Sequence, residues 1–202
     1  MRVVKKRPVE LGTTAMKDGV CSPGDEYIET ASGKKFFLMR PTFDIGDIAH
    51  ALANNCRYTG HTKNRYSVAE HSVLVSMIMQ DQKLGNPYEG LMHDAHEAYI
   101  CDMASPWKRL LPDYREHEAR IELAMRRWAV LPDKISSEAK LVDYAALILE
   151  ARVLIPSKAK DWPMAPKVIA LANKVQQDYM IMCWDAPAAK HAFLVRYSEL
   201  TK

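Results

Sequence analysis

An all-α domain with a small N-terminal β-hairpin is the fold class this sequence predicts, and three observations predict it. From Phe43 onward apolar residues recur at helical spacing. Helix-start signals punctuate that region: Ser67 with Glu70, Asn86 before Pro87, and Asp113 with Glu116. β-prone residues gather in one short stretch, "YIETASGKKFFLM", where two runs flank Ser32-Gly33 as a hairpin would.

The elements follow in order. Residues 1–26 carry Pro8, Gly12, Gly19, Pro23 and Gly24 without periodicity and read as irregular. After the hairpin, "FDIGDIAHALANN" places Ile45, Ile48, Ala49 and Leu52 on one helical face. "SVAEHSVLVSMIM" opens with the S-x-x-E of a capping box and is apolar enough for a core helix. A third helix begins near Asn86-Pro87 and runs through "GLMHDAHEAY". "SPWKRLLP" is a short segment between prolines, and "DYREHEARIELAMRRWAV" is an amphipathic helix. "SSEAKLVDYAALILEARVLI" predicts a long, mostly buried helix, and "PKVIALANKVQQDYMIMCW" and "APAAKHAFLVRYSEL" complete the chain.

With no internal repeat and no low-complexity linker, residues 1–202 read as one domain, long enough for a substantial core. A net charge of +3 suits an anionic small molecule and gives no argument for nucleic acid. The basic run "RVVKKR" reads as a solvated tail. Cys21, Cys56, Cys101 and Cys183 form no CxxC pair and fit free thiols in a reducing compartment. Neither a membrane span nor the apolar core of a secretory signal is visible, so the expected location is the cytoplasm.

The chemistry concentrates in "GLMHDAHEAY", where His93, Asp94, His96 and Glu97 fall within five positions of an otherwise apolar helix. Titratable groups are seldom buried without a partner. On a helical period Glu97 lies one turn beyond His93 and three residues beyond Asp94, so all three lean toward one point. Two other core helices carry polar groups where aliphatics belong: His71 in "AEHSVLV" and Asp143 in "KLVDYAALILE". One divalent ion satisfies His71, His93, Asp94 and Asp143 together. Two imidazoles and two carboxylates suit Zn, Mn, Co, Ni or Fe better than Ca, with Mg admitted as well.

In order and setting these residues resemble the H…HD…D signature of the HD-domain metal-dependent phosphohydrolases. The resemblance runs from about Ile28 to Leu154 and includes "RYTGHTKNRYSVAEHS", "HDAHEAYICDMASPWK" and "AKLVDYA". It is nearest to the HD-type 5′-deoxynucleotidases and to the phage dATP triphosphohydrolases, and it implies the all-helical HD bundle. It further implies that His71, His93, Asp94 and Asp143 hold one metal ion and that Glu97 positions or deprotonates the attacking water. Asp102 matches an aspartate close to substrate. Arg57 and Lys108 match phosphate-binding residues, and Lys140, three residues before Asp143, shares its helical face.

One departure stands at Arg57-Tyr58, where the deoxynucleotidases carry Arg-Trp. The segment from there to His71 is also about one residue shorter. Tyr58, His61 and Arg65 are therefore candidate pocket residues, with Arg65 a rival to Arg57. The expected activity is that of a dNTP triphosphohydrolase with dATP among its substrates, releasing deoxynucleoside and triphosphate. The alternative is a 5′-deoxynucleotidase acting on dNMPs, since both attack the phosphorus next to the 5′ oxygen. The resemblance also implies a homo-oligomer, dimeric or larger, in the cytoplasm (the host's, for a phage-encoded enzyme). A nucleotide-binding regulator without turnover predicts a damaged constellation, whereas this one is complete. A helical interaction module leaves His71 and Asp143 unexplained.

Overall fold

Two strands pair where the β-prone runs predict them: β1 (Tyr27–Glu29) and β2 (Lys35–Phe37) run antiparallel, with Ile28 opposite Phe36. Gly33 takes φ +79° in the turn, a conformation that costs other residues a steric clash. The computed structural model describes residues 26–202. The irregular segment expected at 1–26 (Glu26 excepted), its basic run and Cys21 lie outside the described residues.

Helix α1 (Ile45–Asn54) starts at Asp44, whose carboxylate accepts from the N–H groups of Gly46 and Asp47. Asp47 in turn accepts from Ser32 N, Ser32 Oγ and Thr30 Oγ1 at 2.9, 2.7 and 2.8 Å, which pins the hairpin to this helix. A 3-10 turn at Arg57–Gly60 leads into α2 (Val68–Asp81). Ser67 caps α2 through Glu70 N, but the reciprocal half of the expected box does not form. The Glu70 carboxylate instead accepts from the N–H groups of Met182, Cys183 and Trp184 at 2.8 to 2.9 Å. Three donors from a distant segment outcompete one local donor.

The third predicted helix is broken. It is observed as α3 (Pro87–Met92), a turn over 93–96, and α4 (Glu97–Ile100). Through that turn the backbone bonds run three residues back, Ala95 N to Met92 O and Glu97 N to Asp94 O, so the chain is wound tighter than an α-helix. Helix α5 (Ser105–Leu110) precedes α6 (Pro112–Trp128). Here too the expected cap fails: Pro112 opens α6 and Asp113 lies in its first turn, where the helix dipole favours an acid. Helix α7 (Ser137–Leu154) is capped by Ser136. Helix α8 (Pro166–Val175) covers only the first part of its predicted stretch, and α9 (Ala186–Leu200) ends the fold. Most described residues are helical, beside one small sheet.

Eleven of the fourteen residues of α2 are buried, because both apolar clusters of the core use it. Val68, Ala69 and Val73 face the cluster with α1 and α9, while Leu74, Val75, Ile78 and Met79 face the one with α7 and α8. A helix apolar on all sides belongs inside. His71 thus stands where α2 meets its neighbours. A buried ion pair, Arg126 Nη2 to Glu89 Oε1 at 2.6 Å, ties α6 to α3, and Glu89 also accepts from Ser136 N at the head of α7.

Gly90 lets α3 approach α2. A Cβ there would stand 2.6 Å from Met79 Sδ and 3.2 Å from Ser76 Cα, a backbone atom. Gly90→Ala is expected to cost about 1–3 kcal/mol, read as a lowered melting temperature. An unchanged melt would show that the two helices part freely. No helix among the described residues is long and apolar enough to cross a membrane.

Candidate metal centre

Three elements converge on one point. His71 comes from the first turn of α2, His93 from the end of α3, Asp94 from the tightened turn after it, and Asp143 from α7. His71 Nε2 lies 3.2 Å from His93 Nε2. Asp94 Oδ2 is 3.1 Å from His93 Nε2 and 3.6 Å from His71 Nε2. Asp143 Oδ1 is 3.2 Å from His71 Nε2 and 3.9 Å from His93 Nε2.

The outward nitrogens decide what the inward ones present. His93 Nδ1 lies 2.8 Å from the Gly90 carbonyl oxygen, which can only accept, so Nδ1 carries the proton. His71 Nδ1 lies 2.5 Å from Glu150 Oε1, a carboxylate that likewise accepts its N–H. In their neutral forms both rings therefore turn lone pairs inward. Two such lone pairs and two carboxylate oxygens repel one another unless a proton or a cation sits among them. His71, His93 and Asp143 offer atoms all within 4.8 Å of one another and could bind a metal ion, with Asp94 as a fourth donor.

The electrostatics agree. Burial and Arg57 disfavour the imidazolium of His71, yet Glu150 and Asp143 prevail and raise its pKa to about 9. Burial also opposes a charged His93, and Asp94 and Asp143 overcome it. Asp94 is held well below the usual carboxylate range: burial works against its charge, but His93, His71 and Arg57 outweigh it.

A cavity of about 550 Å³ opens on the cluster, a size that suits a small ligand. Asp94, Asp143, Glu97, Asp102, Arg57 and Lys108 all face it. Arg57 is buried, with Nε 3.0 Å from Glu150 Oε2 and Nη1 3.7 Å from Asp94 Oδ2. Glu97 is buried with Oε2 lacking a hydrogen-bond partner, and burial together with Asp94 and Asp102 pushes its carboxyl well above the usual range. Burial raises Asp102 as well. It follows Cys101, whose φ of 71° and ψ of 156° turn the chain at the end of α4. Lys108 Nζ stands 2.5 Å from Glu118 Oε1 and 3.6 Å from Glu97 Oε1, so its ammonium already serves the second acidic group, His96, Glu97 and Glu118.

Three expected residues fall outside the larger cavity. Lys140 is exposed and lines an adjoining cavity of about 290 Å³ together with His93, Asp94 and Asp143. Arg65 is tied to the carbonyl oxygens of Trp184 and Ala53, to which its two terminal nitrogens donate. His61 is exposed, because the chain reverses through Tyr58, Thr59 and Gly60 at φ 57°, 54° and 76°. Neither His61 nor Arg65 lines the cavity, whereas Tyr58 does.

No protein-family profile matches the chain. Over 141 residues it is 40% identical to YfdR, an uncharacterized protein of Escherichia coli K12, covering 68% of this chain and 78% of that protein. The chain belongs to the YfdR family. A second relative, an uncharacterized protein of Rhodobacter capsulatus, is 37% identical over 134 residues, which is 59% of this chain and 68% of that one.

In this member of the YfdR family the sequence reading misses a residue at the base of the site. Glu150, fully buried on α7, receives Arg57 Nε, Tyr58 Oη at 3.0 Å, Tyr66 Oη at 3.2 Å and His71 Nδ1. Burial opposes its charge, but Arg57 and His71 hold its pKa down at about 2. A signal existed: Glu150 is an acid inside "AALILEARVL", two helical turns beyond Asp143 and on the same face. Cys56, Cys101 and Cys183 are free thiols, as expected.

Proposed function

We propose that this chain is a metal-dependent deoxynucleotide phosphohydrolase of the HD type, cleaving at the phosphorus next to the 5′ oxygen. One observation carries the reading: two imidazoles and two carboxylates turn lone pairs to one point on the floor of a cavity that also presents Arg57 and Lys108. The donor set fits a divalent transition ion, since each inward nitrogen has its outward partner fixed by an acceptor. Such an ion, when bound, supplies Lewis acidity to a phosphoryl group and to water.

The chain's own residues do the rest. Arg57 and Lys108 hold phosphate oxygens, and Arg57 is oriented for this by Glu150. Glu97, buried in the cavity with Oε2 lacking a hydrogen-bond partner, is placed to take a proton from the attacking water. Asp102 stands beside it in the same cavity. In place of the tryptophan of the resembling deoxynucleotidases, Tyr58 sets its hydroxyl against Glu150 and the Leu147 carbonyl, a bond a tryptophan at this position has no hydroxyl to make.

The dNTP triphosphohydrolase reading has a rival that one observation favours. Lys140 lines the adjoining cavity and not the larger one, and there Glu97, Glu118 and Glu122 outnumber Lys108 and Lys140, which disfavours a polyphosphate tail. That weighs toward a dNMP. A panel of dNTPs, dNMPs and ribonucleotides with Mn, Co, Zn or Mg tests the proposal, products being resolved by chromatography. Triphosphate marks one reading and orthophosphate the other; no hydrolysis with any metal refutes both.

A further expected result concerns protons. Because His71 in the metal-free site has a pKa of about 9, it is protonated at pH 7 and must lose that proton to ligate. Metal affinity is therefore expected to rise with pH between 6 and 9 by about tenfold per unit for each proton displaced. Calorimetry in two buffers of different ionisation enthalpy should find at least about one proton released per ion at pH 7. Zero release would contradict the proposed ligation.

A further inference from the structure

We propose that the wall formed by Tyr58, Leu147, Trp162 and Met164 seats the planar heterocycle of the nucleotide, with Trp162 as its stacking residue. This rests on the phosphohydrolase reading of the same cavity and assigns its other end. Asp143 and Leu147 lie four residues apart on α7, so they share a helical face and stand about 6 Å apart along the axis. One turn therefore separates the phosphate-handling end from the apolar end, the length of a pentose with its 5′-methylene.

The wall is held in place. Tyr58 is fixed by its hydroxyl bonds to Leu147 O at 3.2 Å and Glu150 Oε2 at 3.0 Å, and by a backbone at φ 57°, ψ 28°. Such left-handed positions are costly for residues with a side chain and persist where the surroundings enforce them. The Trp162 ring meets Tyr58 with centroids 6.5 Å apart and planes inclined 33°. Trp162 is carried by a tight loop: Lys158 and Ala159 both take φ 55°, and the N–H groups of Lys158, Lys160 and Trp162 close successive turns. The ring is half-buried, packed against the core beside α7 and open to the cavity.

These side chains offer faces and no carboxamide, so they read a flat ring by stacking and not by its edge. A bare phosphate fills only the charged end and leaves this wall in water. Trp162 and Met164 follow Leu154, where the resemblance ends, so the stacking residue comes from a part of the chain that the motifs do not reach.

The test compares 2′-deoxyadenosine 5′-phosphate with 2-deoxyribose 5-phosphate, which carries a hydroxyl in place of the heterocycle, on the full chain loaded with Mn. Binding is measured by calorimetry and turnover by product release. Trp162→Ala is expected to weaken binding and raise KM for the nucleotide by about tenfold, leaving kcat and the sugar phosphate unchanged, and Trp162→Phe restores most of the loss. Saturation-transfer NMR on the unaltered protein, which does not depend on the variant folding, should show the ring protons of the adenine closest to the protein. Equal affinity for the two ligands, or an equal effect of Trp162→Ala on both, would overturn the proposal. Nucleotide bound through Trp162 without turnover supports the seat and refutes the hydrolase. Turnover indifferent to Trp162 does the reverse, and no binding of either ligand defeats both.

Discussion

Asp94→Ala is expected to yield a folded protein that no longer retains a divalent ion and hydrolyses deoxynucleotides on the order of 10³-fold more slowly, or not at all. Asp94 Oδ2 stands 3.1 Å from His93 Nε2 and 3.6 Å from His71 Nε2, so its loss removes the negative charge that both rings face. His93→Ala should behave alike, since it deletes one of the two inward nitrogens. Glu97→Gln is the informative contrast. It removes the proton acceptor but no ligand, so metal content stays while turnover falls by about 10²-fold or more. Metal content by mass spectrometry, measured alongside turnover, separates these cases. Full activity in Asp94→Ala or His93→Ala would refute the centre.

The second large effect lies one layer behind the ligands. Glu150→Ala strips a fully buried carboxylate from Arg57, Tyr58, Tyr66 and His71 at once. A buried guanidinium left without its partner is expected to cost about 3–5 kcal/mol of stability, a large share of what a domain of this size has. Glu150→Gln is gentler, since it keeps the shape but not the charge. It should preserve the fold while weakening metal binding by about 10- to 100-fold, because His71 loses the carboxylate that fixes its tautomer. Urea unfolding checks the first variant, and an unshifted midpoint would show that Arg57 finds another partner. Metal titration checks the second.

His71 is legible in the sequence for an energetic reason: an imidazole inside "AEHSVLV" is too costly to bury alone, and it is fully buried. Asp143 in "KLVDYAAL" stands out by the same contrast, but its side chain stays 28% exposed at the cavity and so needs no partner on the ground of burial. Glu150 obeys the logic of His71 and goes unread because its run carries no motif that marks it. Helices announce themselves through periodicity, but their caps are less reliable. Glu70 fails as a capping-box partner because the segment at 182–184 supplies three better donors.

By itself the sequence determines a mostly helical body with one hairpin, the free cysteines within the described residues, and candidate ligands of which His71, His93 and Asp143 meet closely enough to share a cation. These follow from local terms: period, propensity and the cost of burying charge. Tertiary structure alone decides the break at 93–96, Glu150 as the common anchor, the place of Lys140 in the adjoining cavity and the backbone bonds of Arg65. Arg57 meets Glu150 across 93 residues and His71 meets it across 79. Contacts of that span are set by how α2 and α7 pack, and no local pattern encodes the direction in which a side chain then points.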